Sequence, residues 1–307
     1  MKQNSCIVVT GANGLAGSAV VEHLRERGFT FVVPLTRDDA DLMDADRTGR
    51  FFGRVQPEYV FHAAATVYGL QGNMDNQYKA ILNNTMINTN VINASHWVGV
   101  KKIVVMGTNA IYPWPAILPY REENIFDGRP HDGEAGYGHA KRHMLAMLEA
   151  SGMNYTYLVS GNLYGPRDNF NEKTGHVLPS LIHKFWWASV PPKNAVDIWG
   201  DGSARRDFLH SADLADIASL FMGNDFTGPI NIGSGTTVAI RDIAKLLSDI
   251  SGVEWSDVRF DTSKPTGRPE CYSDLSKLHA LGWQPKVSFA DGLRSTYDWY
   301  SVRHTRS

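Results

Sequence analysis

The sequence predicts an α/β fold in which a doubly wound parallel sheet is followed by a smaller mixed α/β C-terminal lobe. From residue 6 to about residue 160, short β-branched runs alternate with longer amphipathic stretches, a pattern typical of right-handed βαβ units. Beyond Gly161, glycine, proline, asparagine and tryptophan become frequent and interrupt the apolar segments. The chain has 307 residues, 43% of them hydrophobic, which is enough to bury one large core and a smaller one. We therefore expect one domain at residues 1–160, to which some later segments return, and a discontinuous second lobe at residues 161–307.

The predicted strands and helices follow each other in regular alternation through the first domain. Each predicted strand is a short apolar run, as expected for strands covered on both faces, and the stretches between them show helical spacing of apolar residues. The strands are Cys6–Thr10, Phe31–Leu35, Tyr59–Ala63, Lys102–Gly107 and Tyr155–Ser160. The helices are Leu15–Arg27, Gln77–Val98 and Glu134–Ser151, with the shorter Ser211–Met222 and Ile240–Ser251 in the second lobe.

Charge and composition argue against several classes of protein. The formal net charge is −2 and the sequence contains no basic block, so binding to nucleic acid or to a membrane surface is not expected. No apolar stretch reaches the roughly 18 residues of a membrane span, and the N-terminus leads directly into a strand, so we expect a cytoplasmic protein. Cys6 and Cys271 form neither a disulfide framework nor a metal-ligand spacing, and no metal site is predicted.

A glycine-rich turn follows the first predicted strand. The segment VVTGANGLAG places Gly11, Gly14 and Gly17 three residues apart, between a strand and a helix. Glycines there let the backbone approach a pyrophosphate, which the helix N-terminus attracts through its unpaired N–H groups. The motif alone also fits a tight turn that binds nothing. In this context it predicts a Rossmann-like dinucleotide-binding domain.

Arg37 lies just past the second predicted strand, where the adenosine ribose of a dinucleotide would lie. A carboxylate there would bind a ribose 2′-hydroxyl, whereas a cation pairs with a 2′-phosphate, so Arg37 favours NADP(H) over NAD(H). Asp38 and Asp39 follow directly, and either could turn toward the ribose instead. NADP(H) is the predicted cofactor.

Three side chains form a candidate catalytic set. Tyr137 and Lys141 are four residues apart at the start of a predicted helix and therefore share one face. We expect the Lys141 ammonium to lower the pKa of Tyr137, which would give a proton to a ketone while Lys141 holds the nicotinamide ribose. Thr108, at the end of the fourth strand, would polarise the same carbonyl oxygen. An incidental Tyr-x-x-x-Lys on an amphipathic helix is the competing interpretation.

These elements resemble the extended short-chain dehydrogenase/reductases and, more narrowly, the GDP-L-fucose synthase family, whose members are 3,5-epimerases and 4-reductases of GDP-4-keto-6-deoxymannose. The resemblance runs nearly from end to end. It is carried by the segments TRDDADLMD, VFHAAATVYG, GTNAIYP, GYGHAK, NLYGPRDNFN, GHVLPSLIHKF, DIWGDGSARRDFLH, DTSKPTG and LHALGW. It implies a GDP-sugar substrate, a substrate-binding role for the second lobe, and a homodimer formed through the two long helices of the first domain.

The resemblance also implies individual site residues. Asn162 and Leu163 should line the nicotinamide and sugar, His176 the reaction centre, and Lys184, Trp199 and Arg206 the nucleotide-sugar. Trp199 could equally be core, Arg205 and Arg206 a solvated pair preceding a strand, and His176 structural. The predicted cofactor-binding residues are Gly11, Asn13, Gly14, Leu15, Gly17, Arg37, Asp41, Leu42, Ala63, Ala64, Ala65, Gly107, Lys141, Asn162, Leu163 and His176.

Ala110 is the departure from the family pattern that bears most on function. In the resembled family a cysteine at this position removes protons from the carbons beside the ketone, and the histidine matching His176 acts as the acid. A methyl group cannot titrate, and Cys6 and Cys271 are distant in sequence. The sequence therefore predicts an NADPH-dependent C4 reductase of a GDP-linked 4-keto-6-deoxy sugar or heptose, with epimerase activity weak or absent.

Three competing functions stay open at this point. A bifunctional epimerase-reductase could take its base from His176, Tyr68 or His131. An NAD-dependent nucleotide-sugar 4-epimerase or a dehydratase is the second, although Asn109 and Ala110 lack the carboxylates typical of dehydratases. A catalytically idle NADP-binding sensor or assembly subunit is the third, which the intact Thr108, Tyr137 and Lys141 set argues against.

Overall fold

The computed structural model describes residues 1–172, 174–264 and 269–304, apart from the side chains of residues 70 and 71. In chain order the strands are β1 (Ile7–Thr10), β2 (Val32–Leu35), β3 (Tyr59–His62), β4 (Lys102–Met106), β5 (Tyr155–Ser160), β6 (Asn162–Tyr164), β7 (Val196–Trp199), β8 (Arg205–His210), β9 (Gly228–Ile232), β10 (Thr237–Ala239), β11 (Val258–Asp261) and β12 (Glu270–Cys271). The α-helices are α1 (Leu15–Glu26), α2 (Ala45–Val55), α3 (Leu70–Asp75), α4 (Gln77–Val98), α5 (Ala135–Ser151), α6 (Val177–Ser189), α7 (Ser211–Met222), α8 (Ile240–Ser251), α9 (Ser276–Ala280) and α10 (Phe289–Arg303).

The main sheet has six parallel strands in the order β2-β1-β3-β4-β5-β9. The chain leaves β1 toward β2 on one side and returns to β3 on the other, so the sheet is doubly wound and the reversal lies next to β1. The predicted fold class is confirmed. Strand β9, from beyond residue 160, completes this sheet, while the division of the chain at residue 160 stays a prediction.

Two apolar clusters cover the faces of the main sheet. One joins it to α2, α4 and α5 through residues such as Phe52, Ile87 and Met144, and the other joins it to α1 and α7 through residues such as Leu24 and Ile217. Because both faces are covered, every residue of β1, β4 and β5 is buried. Each predicted strand is present, with an end shifted by one residue in four of the five.

The second lobe contains smaller sheets. Strand β8 pairs with β10 in antiparallel fashion and with β6 and β12 in parallel, while β7 pairs with β11. A third apolar cluster packs these strands against α6, α8 and α10. Since β6 begins two residues after β5 ends, this lobe starts at the carboxyl edge of the main sheet. Side chains from both lobes can therefore meet at that edge.

Candidate functional site

The glycine turn lies at the carboxyl end of β1 and is shaped by the protein's own backbone. Gly11 has a φ of +66°, and a Cβ there would lie 2.8 Å from the amide nitrogen of Ala64. A Cβ on Gly17 would lie 2.3 Å from the carbonyl oxygen of Gly11, so helix α1 packs directly on the turn. Gly14 is the N-cap of α1 and has no side chain to compete for the first N–H groups of that helix. This cradle fits a pyrophosphate, with Gly11 and Gly17 needed for packing and Gly14 for open access.

The loop after β2 holds one of its two candidate carboxylates in hydrogen bonds of its own. Asp39 is turned back into its own loop, where its Oδ2 accepts hydrogen bonds from the amide (2.9 Å) and the hydroxyl (2.8 Å) of Thr36. These bonds lower the pKa of Asp39. Arg37 is exposed at the end of β2. Farther along, Asp41 Oδ1 accepts a hydrogen bond from the Met43 amide. The carbonyl oxygen of the buried Leu42 accepts one from Asn90 Nδ2.

The segment after β3 lies beside the glycine turn. The amides of Ala63 and Ala64 donate to Thr10 Oγ1 at 3.2 and 3.1 Å, so the chain leaves the sheet here and Ala63 is outside the strand predicted to contain it. Ala65 follows, and the next residue is fixed by Asn84. The predicted cofactor residues Asn13 and Leu15 lie in the turn and at the first position of α1.

Thr108 follows β4 and caps a one-turn 3-10 helix at Asn109–Ile111. Its Oγ1 accepts a hydrogen bond from the Ala110 amide at 3.2 Å, which leaves the hydroxyl proton to be donated to a bound group. Gly107 precedes it, and a Cβ there would lie 2.1 Å from a carbon of the Tyr157 ring. The strand end that presents Thr108 is thus packed against a buried aromatic ring.

Two glycines fix the backbone on either side of Tyr137. A Cβ on Gly136 would lie 2.3 Å from the Gln77 carbonyl oxygen of α4, and one on Gly138 would lie 2.6 Å from the Ala110 carbonyl oxygen. The Gly136 amide also donates to Gln77 Oε1 at 2.6 Å. The first turn of α5 is therefore held between α4 and the Thr108 loop. Sequence reasoning missed this, although the glycines flanking the tyrosine are the signal that could have found it.

Lys141 is 1% exposed and lies under the tyrosine. Its Nζ donates to the Met106 carbonyl oxygen at 2.8 Å and lies 5.8 Å from the centroid of the Tyr137 ring. Burial lowers the pKa of Lys141 to about 8, whereas burial and the Glu134 carboxylate raise the pKa of Tyr137. The expectation that Lys141 lowers the phenol pKa is therefore wrong for the chain by itself. The phenol is protonated at neutral pH, which is the state that can donate a proton.

Three further predicted residues enter the same region from the second lobe. Asn162 and Leu163 lie on β6, where Asn162 Nδ2 donates to the Asp207 carbonyl oxygen at 3.3 Å and Leu163 packs against the core under α1 and α7. His176 is the N-cap of α6 and is exposed to solvent. Desolvation of the ring by the surrounding protein lowers the pKa of His176, and the Glu134 carboxylate opposes this shift. Glu134 thus influences both His176 and Tyr137, and sequence reasoning did not single it out.

The predicted nucleotide-sugar residues lie on three elements of the second lobe. Lys184, on α6, donates to the Asp197 carbonyl oxygen of β7 at 2.8 Å and lies 3.7 Å from Glu172. Trp199 ends β7 and is 63% exposed, so it is not a core residue. Arg206 is half-buried within β8 and donates to the carbonyl oxygen of Arg205. The arginine pair lies inside this strand, not ahead of it, and its members face opposite sides.

Ala110 is 5% exposed beside Thr108. Cys271, which is distant in sequence, lines a small cavity together with Asn109 and Asn162, because β12 pairs with β8 next to this loop. The thiol is buried and accepts a hydrogen bond from Tyr120 Oη at 3.7 Å. Sequence distance could not reveal this proximity. It makes Cys271 a thiol near the Thr108 loop, although not one that is open to solvent.

The remaining suggested bases, His131 and Tyr68, differ in their surroundings. His131 Nδ1 accepts from the Gly133 amide at 3.1 Å and its ring makes an edge contact with Trp114. Tyr68 lies in the segment before α3, where its β-carbon would contact any side chain at Gly72. The matched segment DTSKPTG lies partly outside the described residues.

The model of the NAD dependent epimerase/dehydratase family matches residues 7–233, which span the glycine turn, the Thr108 loop and the first turns of α5. The chain belongs to this family. GDP-L-fucose synthase 1 of Arabidopsis thaliana is 41% identical over 302 residues, covering 96% of this chain and 92% of that protein.

Solved structures from the same family superpose over the full length. The GDP-mannoheptose C4 reductase of Campylobacter jejuni, solved with NADP bound, has a TM-score of 0.88 at 36% identity and covers 98% of this chain and 99% of its own. A GDP-6-OMe-4-keto-L-xylo-heptose reductase from the same organism has a TM-score of 0.91 at 34% identity, with 99% of both chains covered. The family member described here is thus similar both to a GDP-L-fucose synthase and to heptose reductases.

Proposed function

We propose that the protein is an NADPH-dependent oxidoreductase that reduces the C4 ketone of a GDP-linked 4-keto-6-deoxy sugar or a heptose relative, with epimerisation weak or absent. One observation carries the proposal. The buried ammonium of Lys141 is fixed to the Met106 carbonyl oxygen at the end of β4 and lies 5.8 Å from the Tyr137 ring, and Thr108 follows the same strand, while the neighbouring Ala110 offers only a methyl group. This set can protonate a developing alkoxide but lacks the base that the fucose synthase pattern has at position 110.

NADPH supplies the hydride when it is bound. Its pyrophosphate would lie at the N-terminus of α1, over Gly14, and its 2′-phosphate beside the exposed Arg37. Lys141 would hold the nicotinamide ribose from below, because its ammonium is already fixed to the Met106 carbonyl at the end of β4. NADP bound to the Campylobacter jejuni C4 reductase supports this choice of cofactor.

The protein's own groups would act on the ketone oxygen. Thr108 donates its free hydroxyl proton to that oxygen and orients it, and Tyr137 delivers the proton that completes the alcohol. The glycines on both sides of Tyr137 hold the phenol in place, so little reorganisation is needed at the moment of transfer. Asn162 and His176 would contact the sugar from β6 and α6, and Lys184, Trp199 and Arg206 the GDP.

The decisive experiment is to incubate GDP-4-keto-6-deoxymannose with the enzyme and NADPH in D2O. A reductase without epimerase activity consumes one NADPH per product and leaves C3 and C5 free of deuterium. Deuterium at either carbon would favour a bifunctional epimerase-reductase. In that case Cys271→Ser, His176→Asn, Tyr68→Phe and His131→Asn would identify the substitute base. Cys271 is included because it lines the same small cavity as Asn109.

A 4-epimerase and an idle NADP-binding sensor are each separated from a reductase by a simple readout. A 4-epimerase with a closed redox cycle would release no stoichiometric NADP+. An idle sensor would keep its role when Tyr137 is replaced by phenylalanine, whereas a reductase should lose at least about 100-fold in turnover while still binding NADPH.

Homodimerisation through α4 and α5 is part of the proposal. Helix α4 exposes Tyr78, Leu82, Met86 and Trp97 along one side, an apolar stripe that a second copy could cover.

The described residues contain no helix long and apolar enough to cross a membrane. A cytoplasmic location stays a prediction from composition.

A further inference from the structure

His62 is the last residue of β3 and is completely buried, yet the reaction proposed above does not use it. Its Nδ1 lies 2.8 Å from Thr10 Oγ1, and its Nε2 lies 3.1 Å from Asn88 Oδ1. Asn88 belongs to α4 and donates through Nδ2 to the Ala140 carbonyl oxygen of α5 at 3.4 Å. A continuous hydrogen-bonded chain of three side chains, those of Thr10, His62 and Asn88, thus connects β1 to the carbonyl of Ala140, the residue that precedes Lys141.

The direction of every hydrogen bond in this chain is fixed. Thr10 Oγ1 already accepts from the amides of Ala63 and Ala64, so its own proton is donated to His62 Nδ1. His62 therefore carries its proton on Nε2 and donates it to Asn88 Oδ1. Burial and the nearby Lys141 charge lower the pKa of His62 to about 3, so the ring stays neutral and keeps this one tautomer.

The two ends of the chain are the two halves of the predicted site. Thr10 precedes Gly11, whose backbone is in contact with Ala64, so the Thr10 hydroxyl organises the glycine turn and the loop after β3 together. At the other end, Ala140 lies in the first turns of α5 between Tyr137 and Lys141. Thr10, His62 and Asn88 have no exposed surface, so no competing water weakens these bonds.

We propose that His62 and Asn88 are positioning residues that hold the dinucleotide turn in register with the helix that carries Tyr137 and Lys141. Within the part of the chain that the structure describes, neither residue is hydrogen-bonded to Tyr137 or to the Lys141 ammonium. Their role is to keep the distance between the end of β1 at Thr10 and the backbone of α5 fixed. The inference does not depend on which sugar the enzyme reduces.

The test is NADPH affinity in the full-length protein, measured by fluorescence titration without any sugar. Asn88→Leu removes the link on α4, and we expect it to weaken NADPH binding roughly fivefold to tenfold even though the change lies far from the glycine turn. Thr89→Val is the matched control, because Thr89 is the next residue on the same helix and its hydroxyl donates to the Met147 sulfur rather than to the His62 network. A purely structural Asn88 would lower stability and leave NADPH affinity unchanged, which would overturn the proposal.

A double-mutant cycle tests the connection itself. Thr10→Val removes the hydroxyl at the other end of the chain, and Thr10→Ser should restore most of the affinity. If His62 connects the two ends, the double variant Thr10→Val with Asn88→Leu should lose little more than the worse single variant. Losses that multiply would refute the connection. Asn88→Ser, which is too short to join His62 to Ala140, replaces Asn88→Leu should the latter fail to fold.

Discussion

Replacing Lys141 by methionine should abolish reduction without weakening the fold. Burial lowers the Lys141 pKa from its ordinary 10.5 to about 8, so below that value the folded chain keeps a charge that its surroundings disfavour. At about 1.4 kcal/mol per pK unit, this difference costs the folded state roughly 3 kcal/mol near neutral pH. Methionine removes the charge while filling a similar volume.

The gain is partly offset by a lost hydrogen bond. The ammonium donates to the Met106 carbonyl oxygen at 2.8 Å, and an unpaired buried carbonyl costs about 1–3 kcal/mol. We therefore expect Lys141→Met to leave the free energy of unfolding unchanged or to raise it by up to about 2 kcal/mol. Turnover of NADPH with the keto sugar should fall by at least about 100-fold. Urea unfolding and the decrease in NADPH absorbance measure the two effects.

Lys102 provides the matched control. It is also buried, at 2% exposure, and burial lowers its pKa to about 8 as well. Its ammonium, however, donates to the carbonyl oxygens of both Asn224 and Phe226, at 2.8 and 2.6 Å, and lies outside the candidate site. Lys102→Met should therefore be less stable than Lys141→Met by about 1–3 kcal/mol, the cost of one more unpaired carbonyl, and should keep its activity.

The pH dependence gives the sign of the effect. Between about pH 8 and 10.5 the unfolded chain holds a proton on Lys141 that the folded chain has released, so the natural protein gains stability as pH rises through this window. The advantage of Lys141→Met should shrink from about pH 7 to about pH 9.5. A variant that loses more stability than Lys102→Met, or whose advantage grows with pH, would show that Lys141 is a stabilising charge and that the reasoning is wrong.

Three further outcomes are expected. Replacing Arg37 by alanine should reduce the preference for NADPH over NADH about 10-fold to 100-fold, and unchanged kcat/KM ratios for the two cofactors would contradict its assignment. Gly138→Ala should lower the free energy of unfolding by about 1–3 kcal/mol and should also lower turnover, because its Cβ would lie 2.6 Å from the Ala110 carbonyl oxygen and the backbone would have to move. An activity equal to that of the natural protein would show that the spacing of Thr108 and Tyr137 tolerates this movement. Leu82→Glu, in the exposed stripe of α4, should give monomers by analytical ultracentrifugation if that helix forms the dimer, and a persistent dimer would place the interface elsewhere.

Local patterns were sufficient to predict the first five strands of the main sheet to within one residue at each end, but not its sixth strand, β9. The helix α4 begins and ends at the predicted residues, and Thr108 follows the end of β4 as expected, because strands buried on both faces leave short apolar runs separated by stretches long enough for helices. Contacts between distant segments left no such signal. Cys271 lines the same small cavity as Asn109 because β12 pairs with β8, and the two-residue strand β12 has no recognisable sequence pattern.

Electrostatics were the second source of error. The spacing of Tyr137 and Lys141 correctly placed them on one face, but it could not show that the ammonium is fixed to the Met106 carbonyl or that Glu134 lies close enough to raise the phenol pKa. Both depend on burial and on the path of a backbone carbonyl. A sequence motif fixes which groups can interact, whereas the packed structure decides which partner each charge takes.

The first turns of α5 are held by main-chain contacts on several sides. Gly136 packs on α4, Gly138 on the Ala110 carbonyl, and the Ala140 carbonyl is joined through Asn88 to His62. Because each contact involves backbone atoms of α5, we expect Tyr137 to keep the same position whichever sugar is bound. Changes in sugar preference should therefore come from the second lobe, where β6, β7 and α6 contribute half-buried and exposed side chains. A change in the α5 backbone would instead lower the rate with every sugar alike.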